Sequence, residues 1–223
     1  KLFKNQIKKL KYKIKLNEIL ELEYAKKRYL NIINIPYKFK KIFDKISNNS
    51  NQYIENCFKK SLDIIKSNKE EFILINGPIS KKDFLKKKYL GVTEYLSEKT
   101  NSKNEVMLIY NNDISVSPLT THIPLKYVNK YISKKKILNN VIALNNFFKN
   151  NLNLKAKFAI LGLNPHCETV DNISEEEKII IPSIKVLKNK GIHIDGPFAA
   201  DTFFLKSNIS KYNVVVGMYH DQV

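Results

Sequence analysis

The chain has 223 residues, of which 43% are hydrophobic and 27% charged. That balance excludes a disordered tail, and no apolar run approaches the roughly 20 residues needed to span a bilayer as a helix. The formal net charge of +18 points first to nucleic acid, but the cations are almost all lysine. Arg28 is the lone arginine, and arginine is the residue that reads bases and phosphates through a planar fork. The lysines are scattered, and Lys, Asn, Ile, Phe and Tyr share A/T-rich codons. The excess is therefore read as genomic bias on solvated positions, with a nucleic-acid-binding module kept only as a minor alternative.

The basic opening KLFKNQIKKLKYKIK is not followed by an apolar core and a small-residue cleavage site, so no secretory signal is expected. Cys57 and Cys167 are too few for a disulfide framework, which makes a reducing cytoplasm the expected compartment. Residues 1–51 carry little information. Ile19, Leu20, Leu22 and Tyr24 have helical spacing, apolar residues after them suggest a short strand ending at Pro36, and SNNSN at 47–51 reads as a polar loop. Over 52–67, Ile54, Phe58, Leu62 and Ile65 mark one face of an amphipathic helix, with Cys57 a small core residue beside it.

A β/α alternation follows. EFILI (71–75), EVMLIY (105–110), KFAILGL (157–163) and VVVGMY (214–219) read as short buried strands. Residues 135–152 and 174–190 read as helices, the second with Ser174 as N-cap, a stop at Gly191, and a kink from the internal Pro182. The expected fold class is α/β, a largely parallel sheet with flanking helices.

In such folds ligands bind beyond the carboxyl ends of the strands. Three of the four histidines fall just past a predicted strand: His122 in TTHIPL, His166 in NPHCE and His220 in YHDQ; the fourth, His193, lies in GIHIDGP. Imidazoles on neighbouring strand ends can meet around a divalent metal with coordination positions left open. Each could equally close a turn or fill a polar slot, and position alone does not separate the two. Asp201 and Asp221 lie close by in sequence. Near a metal they would orient a ligand histidine or carry a proton, and otherwise they are a helix-cap and a turn residue. Lys81 could reach a phosphate or carboxylate, and Thr93 could cap a helix or donate to a ligand oxygen. Cys167 is ranked as packing, because adjacent residues rarely face one ion. No Walker loop, no G-x-G-x-x-G and no G-x-S-x-G elbow is present.

The strings TTHIPL, GLNPH, GPFAADTFF and MYHDQ, in that order, resemble the 4-hydroxythreonine-4-phosphate dehydrogenase family of pyridoxal phosphate biosynthesis. INGPISK and GVTEYL resemble that family's earlier G-P-x-x-K and G-H-T-E stretches, and the likeness is good from about residue 70 onward. The resemblance implies a divalent metal (zinc, magnesium or cobalt) held by His122, His166 and His220. It also implies NAD or NADP bound without a glycine fingerprint, in a fold like the isocitrate and isopropylmalate dehydrogenases. It implies a homodimer with the active site at the interface, and a phosphorylated small-molecule substrate. Thr93 would match a substrate-binding threonine, and Asp201 and Asp221 acidic residues beside the substrate. The implied reaction is oxidation with decarboxylation of 4-phosphooxy-L-threonine to 3-amino-2-oxopropyl phosphate.

Three departures stand out. Val92 occupies the place of the family's histidine before the threonine, which leaves a sister enzyme for another phosphorylated hydroxy acid as an alternative. CETVDNIS replaces a glycine-rich stretch after N-P-H. A G-D-P-A-G-I-G-like opening and a D-H-G-T-A segment beyond Val223 are not in the chain. The expectation is one incomplete α/β dehydrogenase region over 1–223, made of parts of two interleaved subdomains, either a fragment or the product of an eroded gene.

Overall fold

The structure is a computed structural model describing residues 1–68, 72–85, 88–89, 91–102, 105–167 and 174–223. It divides into two compact units, Lys1–Leu96 and Ser97–Val223. No helix of the described residues is long and apolar enough to cross a membrane.

In the first unit, helix α1 (Leu2–Lys9) precedes a parallel two-stranded ribbon of β1 (Leu16–Ile19) and β2 (Leu30–Ile33), in register from Leu16 opposite Leu30 to Ile19 opposite Ile33. The helix expected from the spacing of residues 19–24 is therefore not formed. Ile19 ends a strand, Leu20 is 84% exposed, and only a 3-10 turn covers Leu22–Tyr24. Side-chain amides explain the difference. Asn17 donates to the Asn31 carbonyl oxygen at 2.8 Å and to the Tyr24 carbonyl at 3.0 Å, and Asn31 exchanges hydrogen bonds with the Lys26 backbone. Asparagine offering the backbone such partners holds a loop against a helix.

Helix α2 (Asn48–Ser67) starts inside the stretch expected to be a polar loop. Ser47 and Ser50 form a reciprocal capping box, so the polar run is a helix start. The predicted apolar face packs as expected. Phe58 is buried with Leu85 and Tyr95, and Ile54, Leu74, Phe84 and Val92 lie against them. Burial pushes the Cys57 thiol's pKa up, and a hydrogen bond with Tyr53 pulls the other way. Helices α3 (Lys81–Phe84) and α4 (Val92–Thr100) frame this cluster.

The strand expected at 71–75 is not found. Residue 71 lies outside the described residues, and 72–75 run without a strand partner. Ile73 and Ile75 are 88% and 86% exposed while Leu74 faces the cluster. The apolar run supplies one anchor instead of a buried strand.

The second unit contains, among the described residues, a four-stranded parallel sheet ordered β3 (Ser115–Pro118), β6 (Val214–Gly217), β4 (Lys157–Leu161), β5 (His193–Phe198). The period-two alternation of central strands divides the core. Phe158, Ile160, Val214 and Val216 pack on one face, against α6 (Lys134–Asn151) and α7 (Ile181–Asn189), which follow a short α5 (Val128–Tyr131). Ala159, Leu161 and Val215 pack on the other with Phe203 of α8 (Ala200–Phe203), before α9 (Lys206–Ile209) leads to β6. In α6, Ile137, Val141, Leu144 and Phe148 form the buried stripe, and Ser133 caps its start.

Two expectations at this sheet are corrected. EVMLIY (105–110) makes only an antiparallel bridge, Ile109 to Val116, and the strand is SVSP just after it. Buried Ser115 and Ser117 lack the apolar signal of a strand, but their hydroxyls are satisfied by the backbone of Asn111 and Met107. The edge strand β5 was hidden by its Gly-Pro step, which an edge position tolerates. The expected kink at Pro182 takes the form of a π-helical turn over Glu176–Ile180, with the proline in the first turn of α7.

Candidate functional site

The three outer positions of the sheet next to β6 converge in an informative way. His122 follows β3, His220 follows β6 and His166 follows β4, and these are three adjacent parallel strands. Neighbouring strands lie about 4.8 Å apart, so the turns at their carboxyl ends stand side by side. His122 (φ 54°) and His166 (φ 56°) both adopt the left-handed region. Non-glycine residues rarely do so without a local reason, and such residues gather at functional sites.

A cavity of about 350 Å³ opens at these strand ends, lined by Thr120, His122, Ile123, Tyr219, His220 and Asp221 among others. It brings two of the three expected ligands together. The third, His166, is not part of its wall; its ring Nδ1 lies 3.4 Å from Oδ2 of Asp201 in the first turn of α8. His220 has the same relation to its neighbour, Nδ1 to Asp221 Oδ1 at 3.3 Å. All three rings are exposed. A carboxylate beside Nδ1 selects the tautomer protonated there and leaves Nε2 with its lone pair outward, the arrangement found behind metal-ligating histidines.

The donor set and its carboxylate backing suit a divalent ion. However, among the described residues no group of three or more His, Cys, Asp or Glu side chains is gathered closely enough to hold one as they stand. The rings of His122 and His220 share a wall, while that of His166 is turned to Asp201.

Lys81 is the first residue of α3 and Thr93 the second of α4, both exposed in the first unit. Val92 lies against the Phe58, Leu85 and Tyr95 cluster, so an apolar contact explains that residue locally. Cys167 is half-buried beneath Gly162; Glu168 and the following residues to 173 lie outside the described residues.

Three residues not singled out from the sequence shape these turns. Glu176, in the π-helical turn, is 1% exposed. Its carboxylate accepts the backbone N–H groups of Leu163 and Asn164 at 2.7 and 2.9 Å and the Asn164 side-chain amide at 2.7 Å. Burial raises its pKa, but the hydrogen bonds from Asn164, its own backbone and Leu163 together outweigh that, and the net shift is downward. Thr120 and Gln222 bond the turns to one another. Acids in SEEEK read as first-turn charges, because the burial of one of them is invisible in sequence.

A larger cavity of about 670 Å³ lies at the other ends of β4 and β5, lined by Lys157, Lys188, His193, Asp195, Lys211 and Tyr212 among others. Lys188 pairs with Asp195 at 2.9 Å. It has one imidazole and sits at the amino ends of the strands, so size does not make it the better candidate.

The family model described as pyridoxal phosphate biosynthetic protein PdxA matches residues 1–223. The chain is 36% identical over 197 residues to a 4-hydroxythreonine-4-phosphate dehydrogenase of Sulfurihydrogenibium sp., covering 86% of this chain and 59% of that protein. Against the protein of the same name from Aquifex aeolicus it is 32% identical over 216 residues, covering 94% of this chain and 66% of the other. The crystal structure of 4-hydroxythreonine-4-phosphate dehydrogenase from Klebsiella pneumoniae superposes with a TM-score of 0.80 at 23% identity, covering 94% of this chain and 65% of that one. The chain thus spans about six tenths of the length of these proteins, and its parallel α/β architecture is theirs.

Proposed function

Because this chain belongs to the family of pyridoxal phosphate biosynthetic protein PdxA, we propose that it carries part of the active site of a metal-dependent, NAD-linked dehydrogenase. The proposed reaction is oxidation and decarboxylation of 4-phosphooxy-L-threonine to 3-amino-2-oxopropyl phosphate, in a homodimer whose active site lies at the subunit interface. One observation carries the reading: the histidines at 122, 220 and 166 follow three adjacent parallel strands, with carboxylates at the Nδ1 of two of them.

A divalent ion in this setting supplies Lewis acidity toward a substrate hydroxyl, and a nicotinamide supplies the hydride acceptor. The residues proposed to hold the ion are His122, His166 and His220, with His166 turning from the side toward the cavity. Asp201 and Asp221 keep the two rings in the Nδ1-protonated tautomer. Either carboxylate is exposed enough to take up a proton from the reacting alcohol. Lys81 supplies a cation for the substrate's phosphate, and Thr93 a hydroxyl donor.

A second reading is favoured by Val92. Its side chain is committed to an apolar cluster and donates nothing to a substrate, which suits a sister enzyme acting on another phosphorylated hydroxy acid.

The test is elemental analysis of the chain after metal loading and desalting, in wild type and in His166→Ala. One equivalent of divalent ion in wild type, lost in the variant, is the expected result. No stoichiometric ion in wild type overturns the site.

A further inference from the structure

The hydrogen bonds behind the histidines form one connected frame. The Thr120 hydroxyl, 1% exposed, donates to the Met218 carbonyl at 2.7 Å, two residues before each of His122 and His220. The Met218 N–H donates to Oε1 of Gln222 at 2.7 Å. The Gln222 Nε2 donates to the Gly162 carbonyl at 2.8 Å, which opens the turn bearing His166. That turn is fastened from its other side, where Glu176 accepts Leu163 and Asn164. Every link runs between segments far apart in sequence, so none follows from local turn formation.

We infer that Thr120 and Gln222 are positioning residues that tie the three histidine-bearing turns into one rigid frame and so hold His122, His166 and His220 in register for the metal. This rests on the metal reading above. Gln222 is suited to the task because an amide is donor and acceptor at once. It takes the Met218 N–H on one atom and gives a hydrogen to Gly162 on the other. A carboxylate there would keep the first bond and set two oxygens against each other in the second. A hydroxyl at 120 closes the third side, since neither backbone there has a spare donor for the Met218 carbonyl. Residues that fix the orientation of metal ligands typically change metal affinity by about tenfold to a hundredfold when lost.

The experiment uses the 223-residue chain in four forms: wild type, Gln222→Glu, Thr120→Val and Thr120→Ser. Cobalt(II) binding is measured by calorimetry and by the visible absorption of the bound ion, and backbone amide exchange is measured on the metal-free protein. Gln222→Glu and Thr120→Val should weaken cobalt binding by about tenfold to a hundredfold and alter the spectrum. Thr120→Ser, which keeps the hydroxyl, should bind as wild type does. Without metal, Gln222→Glu should speed exchange at Leu163 and Asn164, whose own partner Glu176 is untouched. Unchanged exchange there shows that the turns are not coupled and overturns the frame. Faster exchange with wild-type affinity and spectrum overturns the positioning role. Wild type that binds no cobalt overturns the metal reading and the positioning role together, and the exchange result still decides whether the frame exists.

Discussion

The imidazole Nδ1 of His166 stands 3.4 Å from the Asp201 carboxylate, joining the turn after β4 to the first turn of the helix after β5. Side chains from two different β/α connections thus meet at the carboxyl end of the sheet, where an α/β fold places its chemistry. Both groups are more than half exposed, so the pair orients the ring more than it stabilises the fold. Asp201→Asn should therefore leave the unfolding midpoint in urea within the scatter of surface substitutions. Turnover by the assembled enzyme should fall about a hundredfold or more if the carboxylate handles a proton. Wild-type turnover would remove Asp201 from the chemistry.

Glu176 should make the chain acid-sensitive in one defined window. Its folded pKa is lowered below 4.5, the ordinary carboxylate value. A carboxyl depressed by folding contributes stability above its unfolded pKa and loses it as pH falls through the folded one. The contribution is thus complete above about pH 5 and declines below about pH 4.5. Glu176→Gln places an amide donor toward Leu163 or Asn164 and should cost about 2 kcal/mol near neutral pH. Urea titrations of both proteins should differ less at pH 3 than at pH 7; an undiminished difference would rule the charge out as the cause.

Gly162 has no room for a side chain. A Cβ there would lie 2.5 Å from Cys167 Sγ and 3.0 Å from Glu176 Oε1. Gly162→Ala should destabilise by about 1–3 kcal/mol, the usual cost of overpacking, and should shift the amide resonances of the His166 turn. A variant as stable as wild type with an unchanged spectrum would mean that the turn yields.

The two apolar runs that looked alike should respond differently to truncation. Leu187→Ala removes a fully buried side chain and should cost about 2–5 kcal/mol. Ile73→Ala, at a residue 88% exposed, should stay within about 0.5 kcal/mol of wild type. A large loss at Ile73 would restore the buried strand that the run EFILI suggests.

Residue pattern alone was enough for the outline of the second unit. KFAIL and VVVG are strands because every side chain is apolar and both faces of a central parallel strand are buried. The stripe Ile137, Val141, Leu144, Phe148 is a helix because those four recur on one face. Histidine after strand could likewise be read from spacing, since a turn must follow each strand. Pattern failed where side-chain hydrogen bonds replaced apolar burial. Ser115 and Ser117 make a strand by satisfying their hydroxyls on the neighbouring backbone. Asn17 and Asn31 hold a loop where spacing indicated a helix, and Ser47 with Ser50 begin a helix in a run that looked like loop.

Only the tertiary structure decided strand order, and with it that β6 inserts between β3 and β4 to make the three histidine turns neighbours. The order is set by long-range burial, which no window of sequence contains. The same is true of Thr120 meeting Met218 and Gln222 meeting Gly162. A hydrogen bond depends on atoms within about 3 Å, and the chain brings those atoms together only after the sheet has closed.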